Sequence, residues 1–216
     1  MRTIALCTVV GFMAWAALPA KTQGQEDQTR PEGQPARRNV LVNGDFESGL
    51  SGWNSLWTRQ RAAGSASLDR TISHDGGASV RIEHRGGDDW SLEPDRPVNV
   101  KAGEVYQYSG WMRIEGRGRA EISVTLRDAA GEVISWSHGS RSSSATDGWR
   151  ALRSRFVVPA GARTMTPRVV GYGPAVIHVD SLVLVRGQEL KAFRVHPERA
   201  YFFQVTPQQS ATSRIF

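Results

Sequence analysis

The 216 residues are 39% hydrophobic and 22% charged, with 22 Gly, 10 Pro and one Cys, and one domain of roughly 150 residues plus flanking segments would use up that length. These residues leave no room for a large multidomain enzyme, their single apolar run none for a multi-span membrane protein, and the lone cysteine none for a disulfide-stapled miniprotein. The formal charge of +6 rests on 24 Arg and only 3 Lys against 21 acids; arginine's planar fork suits carboxylates, phosphates and sulfates, so the excess reads either as a surface for an acidic ligand or as codon bias on a solvated surface.

Residues 4–18 form the apolar run, with Arg2 before it and Pro19 and Ala20 after it. A positive start, an apolar stretch of about 15 residues and a small residue at the cut describe a secretory signal. Cleavage after Ala20 is therefore expected, with a neighbouring cut or retention as a membrane anchor as the alternatives. Export implies an extracellular or periplasmic location and, with no recognition helix or nucleotide-stacking motif in view, argues against nucleic acid as a partner. Cleavage would also remove Cys7 and with it all thiol chemistry. Residues 21–38 contain no aliphatic side chain larger than Ala and are rich in Gln, Gly, Pro and charge, so they read as a disordered linker.

From Val40 onward, short apolar stretches are interrupted by Gly, Asp, Ser and Pro about every ten residues, the pattern of an all-β antiparallel sandwich. Strands are expected at 78–84 and 96–100. In 105–114, Tyr106, Tyr108, Met112 and Ile114 share one face, which is taken as core, and Gln107, Ser109, Trp111 and Arg113 share the other. Segment 119–127 is the clearest strand: Ala120, Ile122, Val124 and Leu126 alternate with Glu121, Ser123, Thr125 and Arg127, one face core and the other wet. Further strands are expected at 132–137, 149–158 and 164–172. Segment 175–185 is apolar on both faces except for His178 and Asp180, as in a buried late strand. Residues 188–216, with Phe193, Tyr201, Phe202 and Phe203 among charges, break the pattern. They read as an added edge strand, a tail that docks to a protein partner, or the stump of a longer polypeptide.

The domain opens with Asn39-Val-Leu-Val-Asn-Gly-Asp-Phe-Glu47, a Gly-Leu turn and Gly52-Trp53. Ser73-His-Asp-Gly-Gly-Ala-Ser-Val80, Val100-Lys-Ala-Gly-Glu-Val-Tyr106 with Ser109-Gly-Trp111, Asp147-Gly-Trp149 with 156–161, and Val179-Asp-Ser-Leu-Val183 follow in order. Over residues 39–187 this series resembles the carbohydrate-binding modules of families four, nine and twenty-two. The resemblance implies a galactose-binding-like jelly roll that begins with a strand at the Asn-Gly-Asp-Phe-Glu motif, together with non-catalytic binding of polysaccharide or oligosaccharide.

The same resemblance implies a structural calcium, held by the carboxylates of Glu47 and Asp180 with main-chain oxygens near Asp45 and in the loop of His74, and with Asp75 as the available further acid. Calcium takes six to eight hard oxygens, and a lone carboxylate in an apolar strand is costly unless paired or metal-bound; an Arg partner or a surface position is the other reading. Sugar binding stacks an aromatic ring on the apolar face of a pyranose while polar side chains reach its hydroxyls. The candidates are Trp57, Trp90, Trp111, Trp136 and Tyr172, with Arg113 and Arg127 placed on the same wet face as Trp111; partial burial at a core edge is the alternative for each tryptophan. Trp53 and Trp149 match the family's structural tryptophans.

No enzyme signal is found. The carboxylate motif of β-sandwich glucanases, zinc-ligand spacing among the five His and a Gly-x-Ser-x-Gly elbow are all absent. The alternative to sugar binding is an exported structural or adhesion module that docks to a protein through its tail.

Overall fold

The computed structural model describes residues 38–187 and two short strands beyond them; the expected signal, the linker through residue 37 and the rest of the tail lie outside the described residues. In chain order the strands are β1 (Trp57–Thr58), β2 (Gly64–Asp69), β3 (Ser79–His84), β4 (Asp89–Leu92), β5 (Val98–Asn99), β6 (Val105–Gly116), β7 (Arg119–Arg127), β8 (Val133–Ser143), β9 (Arg150–Val157), β10 (Thr164–Tyr172), β11 (Ala175–Arg186), β12 (Tyr201–Gln204) and β13 (Thr212–Ile215). There is no helix among the described residues.

Two antiparallel sheets form the sandwich that the alternation predicts, the jelly roll that the family resemblance implies. One runs β2-β3-β11-β6-β9; the other runs β1-β4-β10-β7-β8, with β5 paired to β10. In the tail β12 pairs with β13.

The core is the set of side chains that the two sheets turn inward. Tyr106, Tyr108, Met112 and Ile114 of β6 are buried, as the period-two pattern requires, and Ile122, Val124 and Leu126 of β7 face them from the other sheet. Strand β11 reaches the core in two phases. Ile177 and Val179 point inward before the register shift between Asp180 and Val183, and Leu182 and Leu184 point inward after it. The shift is a bulge in which Ser181 takes a left-handed backbone (φ 51°), and it moves the inward set from odd to even positions. The run that reads as apolar on both faces is thus an alternating strand with one phase change.

The opening motif departs from expectation. The chain touches β11 through a bridge, Asn39 to Val185, through the Leu182 amide donating to the Gly44 carbonyl, and through the Asn39 side chain, whose Oδ1 accepts the amides of Leu41 and Leu184. It then coils rather than running on as a strand, because Asn43 (φ 52°) and Phe46 (φ 56°) adopt left-handed backbones. Such a conformation is unusual for a bulky residue. Burial of the Phe46 ring, 5.2 Å from the ring of Trp53, holds it there.

Candidate functional site

The outer face of the β1-β4-β10-β7-β8 sheet carries a cleft of about 700 Å3, lined by Asn54, Trp57, Arg59, Asp89, Ser91, Glu93, Trp136, Ser137, Arg168 and Tyr172 among others. Trp57 stands on one edge strand and Trp136 on the other, and they are 51% and 59% exposed. Four inter-strand steps separate these edges, about 19 Å along the sheet, so a single cleft bordered by both tryptophans crosses the strands with an aromatic wall at each side.

Strand register sets the floor. Ser91, Val170 and Glu121 lie in one cross-strand row, and Arg168 pairs directly with Ser123 of β7. The face of β7 that its sequence marks as wet is therefore not open to solvent: Glu121, Ser123 and Thr125 are buried, and Thr125 Oγ1 donates to the carbonyl of Trp136 at 3.3 Å. Oε1 of Glu121, Oγ of Ser123 and Nε of Arg168 are buried without a hydrogen-bond partner in the protein. Buried polar atoms are almost always satisfied; these three lie beneath the cleft, and of their residues Arg168 reaches its lining.

Ion pairs set the electrostatics of the walls. Arg59 binds Asp89 through two hydrogen bonds, Nε to Oδ1 and Nη2 to Oδ2. The pairing raises the guanidinium pKa and holds the Asp89 carboxyl below its usual range. Arg168 lies 3.5 Å from Glu93, whose Oε1 also accepts the Ser91 hydroxyl at 2.8 Å.

Of the residues singled out from sequence, Trp57, Trp136 and Tyr172 line this cleft, and Arg127 reaches it by resting over the Trp136 ring. Trp90 does not. Its neighbours Asp89 and Ser91 point outward, so the indole points inward, is 0% exposed, and fills space left by Gly171, where a Cβ would collide with the ring. Trp111 and Arg113 belong to the opposite sheet and so share no face with Arg127. The Trp111 ring is covered by His74, with centroids 3.8 Å apart and planes 17° apart, and Arg113 pairs with Glu115 at 2.8 Å. Trp53 is core as expected, while Trp149 is half-buried, edge-on to His74 at 5.7 Å. Arg59, Arg119, Arg168 and the floor of β7 were missed. The signal was available, since Arg168 lies on the Tyr172 face of β10 by simple alternation.

The acids expected at a metal separate into two kinds. Asp180 is 0% exposed, and its Oδ2 accepts the amides of His74 and Asp75 at 2.8 and 3.0 Å. Glu47 Oε1 accepts those of Gly77 and Ala78 at 2.8 and 3.1 Å, so both carboxylates clasp one loop. Neither forms an ion pair with Lys or Arg among the described residues. A fully buried carboxylate with no counter-charge, clasping the same loop as the exposed Glu47 carboxylate, is a donor set that fits a cation if main-chain oxygens complete it. The carboxylates of Asp45 and Asp75 do not join it. Asp45 is exposed, Asp75 Oδ1 caps the amide of Gly76, and no cluster of three or more His, Cys, Asp or Glu side chains suited to a metal forms among the described residues. Any further ligands there would be main-chain oxygens.

A family model for a carbohydrate binding domain matches residues 38–173. Among curated proteins, the chain is 26% identical over 151 residues to a tRNA nuclease, WapA, of Bacillus subtilis strain 168; the match takes in 67% of this chain but 6% of that protein. Among solved structures, the enzymatically active domain of tailspike protein 4 from bacteriophage CBA120 is similar with a TM-score of 0.58 at 12% identity, over 68% of this chain and 21% of that one. The C-terminal family 22 carbohydrate-binding module of Clostridium thermocellum Xyn10B is similar with a TM-score of 0.56 at 16% identity, over 73% of this chain and all of that one.

Proposed function

The chain belongs to the carbohydrate binding domain family, and on that premise we propose that it binds a polysaccharide in the cleft between Trp57 and Trp136 without transforming it. One observation carries this reading: two tryptophans, each more than half exposed, border one cleft that Tyr172, Ser91, Ser137 and Arg168 also line. Sugar rings stack on the indoles and on Tyr172, while Ser91, Ser137 and Arg168 meet the hydroxyls. Aromatic side chains exposed around one concave surface and rimmed by polar residues are the pattern of a ligand groove.

Absence of catalysis belongs to the same proposal. Glycoside hydrolysis needs a carboxyl with a raised pKa as general acid, whereas Asp89, a carboxyl of the cleft lining, is shifted the other way by Arg59. The nuclease activity named for the Bacillus protein stays with that protein, of which the matched segment is a small part. A calcium ion bound by Glu47 and Asp180 would supply positive charge to fasten the 74–78 loop to the bulge of β11, a structural role. Export on the apolar run of residues 4–18 completes the reading.

Affinity electrophoresis tests it, with the purified protein run through gels containing xylan, β-glucan, pectin or alginate. Retardation by at least one polymer, lost in Trp57→Ala and Trp136→Ala variants whose melting temperatures are unchanged, supports the cleft. Passage through every gel without retardation overturns it and favours the protein-docking module.

A further inference from the structure

Every aromatic ring that lines the cleft has an arginine against it. The guanidinium carbon of Arg59 lies 5.6 Å from the Trp57 ring centre and that of Arg119 4.5 Å from the Tyr172 ring centre. Trp136 has two, Arg127 at 5.6 Å and Arg168 at 5.8 Å. Cation–π attraction explains where each side chain rests. It does not explain why four arginines gather at one cleft.

Their ionic partners differ. Arg59 is occupied by Asp89. Arg119 and Arg127 have no acidic partner among the described residues, and they stand at the two ends of β7, so uncompensated positive charge flanks the floor strand. Arg168 is the buried member, its side chain 11% exposed, its Nε without a partner and its nearest Glu93 oxygen 3.5 Å away, beyond the hydrogen-bond limit of about 3.2 Å. A guanidinium in that state retains donors for an incoming acceptor.

Resting on the reading of the cleft as a carbohydrate site, we propose that its ligand is an anionic polysaccharide built from uronic acids, with sugar rings on Trp57 and Trp136 and carboxylates on Arg127, Arg168 and Arg119. A uronate carries an apolar C–H face and a carboxylate on one ring, so a single sugar unit meets both halves of a Trp–Arg pair. The carboxylate's two coplanar oxygens match the arginine fork, a match that lysine does not offer. The lining is also mixed: Asp89 and Glu93 lie among the arginines. That suits a chain bearing hydroxyls as well as carboxylates, and disfavours a uniformly charged polymer such as nucleic acid.

The test compares polygalacturonate with the same polymer methyl-esterified, which keeps the ring faces and removes the charge. The full protein is expected to be retarded more by polygalacturonate, and the difference to shrink as salt rises toward 1 M, where the screening length falls to about 3 Å. Arg127→Gln, and independently Arg119→Gln, should weaken polygalacturonate binding by roughly fivefold and weaken esterified pectin binding by clearly less. Trp136→Ala should weaken both, with thermal melting confirming that each variant is folded. Equal retardation by the two gels, insensitive to salt and to the arginine variants but lost in Trp136→Ala, overturns the anionic assignment and leaves the cleft intact. Polygalacturonate binding undiminished by the tryptophan and arginine changes alike overturns both.

Discussion

Replacing Trp136 with alanine separates a binding residue from a packing residue, and its size follows from exposure. The side chain is 59% exposed. An aromatic side chain buries 150–250 Å2 when fully covered, so about 120 Å2 of this one remains to be covered, and a sugar stacked on one face of the ring covers about half of that. At about 25 cal/mol per Å2 the loss is about 1.5 kcal/mol, roughly a tenfold rise in Kd. The fold should lose less, because the part already buried rests on edge-strand neighbours and on the Arg127 and Arg168 side chains rather than in the core. Isothermal titration with an oligosaccharide of whichever polymer retards the protein measures the first quantity and a melting curve the second. A Kd within twofold of the unsubstituted protein, with melting unchanged, would refute the stacking argument, since nothing else on that ring's exposed face has a structural use.

Trp90→Ala is expected to behave in the opposite way, destabilising the fold by about 3–5 kcal/mol because it empties a wholly enclosed site beside Gly171; denaturant unfolding checks this, and a stable variant with impaired binding would contradict the inward placement. Chelation should lower the melting temperature by roughly 10 °C if calcium saturates the clasp, and Asp180→Asn should abolish that difference. An unchanged curve on adding chelator would show that Glu47 and Asp180 hold the loop through its amides alone. Asp69, whose carboxyl is held below its ordinary range by the Thr71 hydroxyl first and then by neighbouring amides and His178, contributes stability that is complete above its unfolded value of about 4 and is lost as pH falls through the lower folded value. Asp69→Asn should therefore melt lower at neutral pH yet show a shallower loss of stability on acidification. Parallel acid limbs for the two proteins would count against the argument.

The legibility of the fold tracked local alternation. In β6 and β7 apolar and polar residues alternate over nine to twelve positions, and both were placed from that pattern. Strands β1, β2 and β4 are Trp-Thr, Gly-Ser-Ala-Ser-Leu-Asp and Asp-Trp-Ser-Leu, too short or too polar to show a period, and they exist because neighbours pair with them. The bulge in β11 was invisible for a different reason: a one-residue phase change in a run with apolar residues on both sides of it leaves the composition unaltered, and only the pairing of Asp180 and Val183 with β6 reveals it.

The cleft was half legible because exposure is a property of sheet pairing. Flanking polarity kept Trp90 and Trp136 equal as candidates, since each sits between polar neighbours in a short segment. What separates them is which strand lies beside each one. β4 is an interior strand of its sheet, and its outward positions fall to Asp89 and Ser91, which turns Trp90 into the sandwich; β8 is an edge strand with repeated register irregularities against β7, and there Trp136 stands out over the floor. The same logic explains Trp111, which lies on a non-core face as alternation requires but on the sheet whose outer surface is covered at that point by the His74 loop. Alternation assigns a side chain to one of two faces, while the fold decides which face is a cleft. The family resemblance does not supply that second piece of information, so the arginines that accompany the cleft's aromatic rings became visible only once the strands were set side by side.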